Sequence, residues 1–359
     1  LIFFGAASLA HERIRRTTMI KVAVVGAGHW GPNLIGNFHN HGNSEVAWVV
    51  DQNESRLNVV RTRFPDIKVS SDLASVLDDP NVEAVVVATP TTTHYDITTA
   101  ALRAGKHVLV EKPLADTVEK SIAMHELAQQ VGKILMVGHV FVYNAAAQLA
   151  KQYITNQELG RVYYISMVRT NLGPIRVDVN AAFDLAAHDI SLASYWLDAE
   201  PLSVTATGGA WINKGIEDAI FATIRYPNDI LVNLHASWLN PVKTRDIRVV
   251  GDKRMLTFDD VNASEPLRIF DKHVDDEVAH VPFVDSIASF RMTVHDGDIK
   301  VPRVPTSQPL KVECDHFLDC IASGAAPMSG GPEGISVVKT LVAMSRSMAE
   351  KGREVEIDA

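Results

Sequence analysis

At 359 residues the chain exceeds the roughly 250–300 residues at which one hydrophobic core stops growing, so two domains are expected. A composition of 47% hydrophobic and 21% charged residues excludes disordered and collagen-like classes. With 34 Lys and Arg against 43 Asp and Glu the net charge is −9, and no basic run offsets it, which argues against a nucleic-acid partner. No apolar stretch reaches the roughly 18 residues that span a bilayer, so no membrane association is expected. Two cysteines, Cys314 and Cys320, are too few for a disulfide scaffold and lack zinc-ligand spacing. The expectation is a cytoplasmic enzyme.

Residues 1–18 place ten mostly apolar residues before their positive charges, the reverse of a secretory signal. They read as an extension, disordered or not native, or as a short helix docked on the body or on a neighbouring subunit. From Met19 the chain alternates apolar runs with helical segments. Strands are predicted at 20–25, 45–51, 67–69, 82–89, 107–113 and 133–139, with helices at 31–41, 53–63, 72–78, 94–104 and 117–131. The runs IKVAVV and VEAVVVAT show no alternation, as strands buried on both faces do. Short links and right-handed crossovers make this first domain, 19–141, α/β with a doubly wound parallel sheet.

GAGHWG, residues 26–31, follows the first strand and opens a helix, the context that gives a GxGxxG match its meaning. Gly26 permits the tight turn, Gly28 lets backbone approach a pyrophosphate, and Gly31 lets the helix pack on the strand. His29 and Trp30 belong to the same cradle. Free N–H groups at the helix start would hold the phosphates. Asp51, 20 residues beyond Gly31, would bind the adenosine ribose and repel a 2′-phosphate, so NAD is favoured over NADP, with Arg56 as a softening influence. At the carboxyl end of the fourth strand stands ATPTTTH, whose Thr89, Pro90, Thr91 and His94 are further candidates for the cofactor site. At the end of the fifth stands EKP, residues 111–113. A lysine ammonium there could stabilise an alkoxide losing hydride or relay its proton.

GAGHWG, ATPTTTH, EKPLA and GHVFVYN, in this order and spacing, resemble the glucose–fructose oxidoreductase/inositol dehydrogenase (Gfo/Idh/MocA) family, over essentially everything from Met19 onward. The segment 169–190 resembles its branch acting on nucleotide sugars in bacterial polysaccharide gene clusters. The resemblance implies a Rossmann domain followed by an α+β substrate domain, 142–359. It implies that Lys112 orients substrate and assists proton transfer, that Glu111 binds the nicotinamide ribose, and that the bond before Pro113 is cis. The family's D-x-x-x-H pair falls on Asp184 and His188, with His188 as acid/base. Tyr143 and Asn144 fall in a segment expected to meet substrate, where this chain lacks the family's usual proline.

After a helix at 144–155 the rhythm becomes β-rich, with strand candidates at 161–170, 202–211, 218–227, 230–239 and 244–252. Turns such as YPND suggest hairpins and a large, mainly antiparallel sheet, open on one face. An uncovered face needs a partner, and the family commonly forms homodimers or homotetramers through this sheet. The stretch 253–310 has no clear pattern. Helices near 311–323 and 334–350 close the chain.

Four residues apart on a helix, Asp184 and His188 would share one face, the carboxylate orienting the imidazole and favouring its protonated form. Ahead of them, Arg169 and Arg176 could bind a diphosphate or carboxylate, and Asn171 and Asn180 could bind hydroxyls. Lys243 and Arg245 are weaker candidates. No motif suggests a metal. The sequence thus predicts NAD-dependent oxidation of a ring hydroxyl, the C3 hydroxyl of a nucleotide-linked sugar such as a UDP-N-acetylated uronate. Two alternatives stand beside it: an inositol or simple-sugar (phosphate) dehydrogenase, and a dinucleotide-binding redox sensor without turnover.

Overall fold

The computed structural model describes residues 19–274 and 294–357. The extension 1–18 lies outside the described residues, as does 275–293 within the unpatterned stretch. The first sheet holds β1 (Ile20–Val25), β2 (Ser44–Val50), β3 (Lys68–Ser70), β4 (Ala84–Val87), β5 (His107–Glu111) and β6 (Leu135–Gly138). All its pairings are parallel and its order is β3-β2-β1-β4-β5-β6. The apolar runs are buried on both faces because helices cover both. Val22 and Val24 of β1 meet Leu34, Ile35 and Phe38 of α1 (Gly31–His39) and Leu57 of α2 (Glu54–Arg63). Ala23 and Val25 face the opposite layer, with Leu102 of the third long helix and Met124 of the fourth. Strand order reverses between β1 and β4, the place where doubly wound sheets bind ligands.

Nine strands form the second sheet, among them β7 (Val162–Leu172), β8 (Ser203–Gly209), β9 (Ala219–Arg225), β10 (Leu231–Ser237) and β11 (Leu239–Gly251), with β7, β10 and β11 at its centre. Only β7 and β10 run parallel; every other pairing is antiparallel. The stretch without a sequence pattern supplies three of these strands, Met255–Asp259, Leu267–Val274 and Val294–Lys300, stacked outward to one edge. Helices lie on one face, burying Trp196, Leu341 and Met344 against Ile165, Leu234 and Val249. The other face exposes Tyr163, Tyr164 and half of Phe221, which stacks on His235 with ring centroids 4.4 Å apart.

The two closing helices return to the first sheet. The helix Pro309–Ser323 buries Cys314, Phe317 and Leu318 in the layer of α1. In the helix Gly331–Ala349, Val338 enters the opposite layer while Val337, Leu341 and Met344 enter the core of the second sheet. That single helix therefore clamps the sheets together.

Candidate active site

The glycine turn is built as its spacing predicts. Gly26 has φ +101°, and a Cβ on it would stand 2.4 Å from the Ala88 carbonyl oxygen at the end of β4. A Cβ on Gly31 would stand 2.0 Å from the Gly26 oxygen. Neither position tolerates a side chain. Gly28 is free of such crowding, its nearest neighbour being Arg56 Nη1 at 3.6 Å from an added Cβ. Trp30 caps α1 without a side-chain hydrogen bond; Pro32 has no N–H and Asn33 N donates to the Trp30 oxygen at 2.9 Å, which leaves the Gly31 N–H of the first turn for a phosphate. Asp51 is buried at the end of β2; its Oδ2 accepts from Ala27 N at 2.7 Å and its Oδ1 from Asn53 N at 2.7 Å. Arg56 Nη1 stands 3.5 Å from the same Oδ2. His29 is exposed and Trp30 partly so. This cradle fits a dinucleotide pyrophosphate.

The second group lies at the ends of β4 and β5. Thr89 and Pro90 edge the cleft, Thr91 is buried, and Thr93 closes the turn on the Thr89 hydroxyl at 2.8 Å. His94 corrects its sequence assignment. It is fully buried, and its ring nitrogens contact the Pro113 and Thr89 carbonyl oxygens, each at 2.9 Å. It ties the turn after β4 to the turn after β5. The Lys112–Pro113 bond is cis, as the resemblance implies. Burial pushes the Glu111 carboxyl up to about 7, against the opposing pull of the Lys112 ammonium.

Lys112 is where the sheets meet. Its ammonium donates to the Asp184 carbonyl oxygen at 2.6 Å and lies 3.5 Å from Asp184 Oδ1. Burial lowers its pKa, while Asp184 and Glu111 act to raise it. Asp184 sits in a π-turn, Ala182–Ala186, that precedes the helix Ala187–Leu197. Arg176 Nη1 donates to Asp184 Oδ1 at 3.1 Å, and Trp238 Nε1 donates to Oδ2 at 3.0 Å. Burial works to raise this carboxyl, but Lys112, Trp238 and Arg176 hold it below its ordinary value.

The Asp184–His188 pair is corrected. The wide turn breaks the i,i+4 register, and Asp184 spends its oxygens on Lys112, Arg176 and Trp238 with no hydrogen bond to His188. His188 instead packs on the Phe141 ring at 4.9 Å, and its Nδ1 is buried without a partner. Burial, then the Lys112 and Arg169 cations, drive its pKa well below the usual imidazole value. The shift favours the neutral ring, since Asp184 makes no hydrogen bond that would favour the charged one.

Four substrate candidates make contacts within the fold. Arg169 is buried, with Nε and Nη2 donating to Asp189 Oδ1 at 2.9 and 2.6 Å and its guanidinium 4.2 Å from the Phe141 ring centroid. Tyr143 is buried in the first sheet's core, its hydroxyl 2.8 Å from Ser329 Oγ. Asn144 caps the helix Ala145–Thr155 through Ala146 N at 2.8 Å and donates to Asp260 at 3.1 Å. Asn180 braces the π-turn, accepting from Phe183 N at 3.2 Å and donating to Glu217 at 2.7 Å. Asn171 donates to the Gly173 carbonyl. Arg176 remains partly exposed beside Lys112 but is already paired with Asp178 and Asp184.

Three buried residues escaped the sequence reading. Trp238 ends an apolar run and reads only as core. His139 lies in the GHVFVYN motif, fully buried with both ring nitrogens unpartnered, and burial and Lys112 push it down to about 3. Glu313 is fully buried with neither oxygen partnered. Among the described residues no cluster of three or more His, Cys, Asp or Glu could hold a metal ion, and no helix is long and apolar enough to cross a membrane.

Residues 20–139 match the model of an oxidoreductase family with an NAD-binding Rossmann fold, and residues 147–257 match the Gfo/Idh/MocA C-terminal domain. The chain belongs to the Gfo/Idh/MocA family. It is 26% identical to scyllo-inositol 2-dehydrogenase (NAD(+)) of Bacillus subtilis (strain 168), over 94% of this chain and 96% of that one. It is 29% identical to UDP-N-acetylglucosamine 3-dehydrogenase of Acidithiobacillus ferrooxidans, over 68% of this chain and 75% of that one. The solved structure of GenD2 from gentamicin A biosynthesis, in complex with NAD, shares its fold at TM-score 0.80 and 24% identity, covering 96% and 98% of the two chains. As a member of the Gfo/Idh/MocA family the protein is an NAD(P)-dependent oxidoreductase acting on CH–OH groups, within a family of sugar and polyol dehydrogenases.

Proposed function

We propose that the protein oxidises a secondary ring hydroxyl of a nucleotide-linked sugar, at C3, with Lys112 and His188 managing the proton. The carrying observation is the Lys112 ammonium, buried where the dinucleotide cradle and the second sheet converge and held by Asp184. Gly28, the first turn of α1, Asp51 and Glu111 would hold the cofactor. Bound NAD supplies the hydride acceptor. Lys112 donates a hydrogen bond to the hydroxyl oxygen, steadying the charge that develops as its C–H bond breaks. His188, neutral because it is buried beside cations, takes the hydroxyl proton while the carbonyl forms. The Asp51 carboxylate favours NAD over NADP. Support for a nucleotide sugar comes from the segment 169–190 and from the UDP-N-acetylglucosamine relative.

A second reading, a neutral polyol or simple sugar, is favoured by charge balance. Arg169, Arg176 and Arg245 are each paired with a carboxylate, which leaves no unpaired guanidinium among them for a uronate or diphosphate. Pairing of two copies through the open sheet face is proposed from exposed Tyr164 and Phe221. Nicotinamide absorbance with NAD and a panel of UDP-N-acetylglucosamine, its uronate, myo-inositol and glucose 6-phosphate tests the function. Turnover on a UDP-sugar that falls by about 10²-fold or more in Lys112→Ala supports the first reading. Turnover on inositol alone selects the second. NAD binding without turnover on any of them would favour a redox sensor.

A further inference from the structure

We propose that Trp238 is a positioning residue of the dehydrogenation site: its indole N–H pins one oxygen of Asp184 so that the other stays aimed at Lys112 and Arg176. The proposal rests on the reading of Lys112 as the residue that meets the reacting hydroxyl.

Trp238 joins β10 to β11 and is fully buried in the core of the second sheet. Such a position requires only an apolar side chain. An indole brings an N–H that is costly to bury without an acceptor, and here that acceptor is Asp184 Oδ2, at 3.0 Å. The backbone of Trp238 is fixed from both sides. Its N–H donates to the Asp218 oxygen at 2.9 Å, and its carbonyl accepts from Gly173 N at 2.9 Å. Gly173 opens the loop that carries Arg176, so one residue anchors both the Arg176 loop and the π-turn of Asp184.

Asp184 needs an outside anchor. A π-turn is rare, found mostly as a single turn and often at functional sites. The carboxylate also lies between two cations, with Arg176 at 3.1 Å and Lys112 at 3.5 Å from the same Oδ1. Freed of the indole, the carboxylate would be drawn to the nearer cation, Arg176, and would leave Lys112. The groups facing the Lys112 ammonium are Asp184 and Glu111, which favour its charge, and Arg176, His139 and His188, whose charged forms oppose it. Misplacing Asp184 therefore shifts the balance against the ammonium.

The test compares the full-length enzyme with Trp238→Phe, using NAD and the best substrate of the panel. The expected result is a fall of about tenfold in kcat with KM for substrate and Kd for NAD within about twofold, the loss of one hydrogen bond. The limb of the kcat–pH profile set by Lys112 should move to lower pH. In the background of Asp184→Asn the same change should have little further effect, because both act on one carboxylate. Wild-type kcat and pH profile in a folded Trp238→Phe enzyme would overturn the proposal, as would full additivity with Asp184→Asn. If Trp238→Phe does not fold, 3-benzothienylalanine placed at position 238 removes only the N–H, and the same outcomes apply. Undiminished turnover in Lys112→Ala would instead sink the reading beneath it, whatever Trp238 does.

Discussion

The Lys112 ammonium donates to the main-chain oxygen of Asp184 at 2.6 Å, across 72 residues of sequence. The bond joins the end of β5 in the first sheet to the π-turn that leads into a helix of the second. The position of the Lys112 cation therefore depends on both sheets. The helix Gly331–Ala349, packed into both cores, keeps that geometry from drifting.

The buried pair of Arg169 and Asp189 makes a claim about stability. Arg169→Ala leaves the Asp189 carboxylate buried without its cation, and unfolding free energy should fall by about 3–5 kcal/mol. An arginine that bound substrate would raise KM at unchanged stability. Denaturant unfolding beside steady-state kinetics separates the two, and a KM effect without destabilisation would refute the structural role.

Glu111 makes a claim about pH. Its carboxyl titrates near 4.5 when unfolded and near about 7 in the fold, so between these values the native chain holds a proton that the unfolded chain has lost. The stability it contributes is complete below its unfolded pKa and is lost as pH rises through the folded one. Glu313, pushed well up by burial and by Glu111, acts in the same sense. Glu111→Gln should flatten the decline in unfolding free energy between about pH 5 and 8. Unchanged curvature in that window would show that Glu111 ionises as an ordinary carboxyl.

Asp51 bears on the choice of cofactor. Asp51→Asn removes the negative charge where a 2′-phosphate would lie and frees Arg56, 3.5 Å away, to attract one. The ratio of kcat/KM for NAD to that for NADP should drop by about tenfold or more, the effect of roughly 1.4 kcal/mol. A ratio that does not move would mean that Asp51 serves only to anchor the loop through Ala27 and Asn53.

The parallel sheet and the dinucleotide cradle were legible from local sequence because local sequence causes them. Runs such as IKVAVV read as strands buried on both faces, and the crowding at Gly26 and Gly31 admits no other residue. The π-turn left no comparable mark. AFDLAAHDI reads as a plain helix, and what widens it is contact with distant partners: Asn180 on Glu217 at the turn's start and Trp238 on Asp184 within it. Arg169 read as a candidate ligand for a diphosphate or carboxylate for the same reason, since Asp189 lies 20 residues on and only packing brings the two together. Periodicity records which face of an element is apolar; it does not record which buried polar group finds which partner. Sequence alone therefore determined that this chain binds a dinucleotide and carries a lysine beside it. Only the tertiary structure decided what Asp184 holds, because desolvation favours pairing a buried charge with whatever distant donors the fold brings beside it.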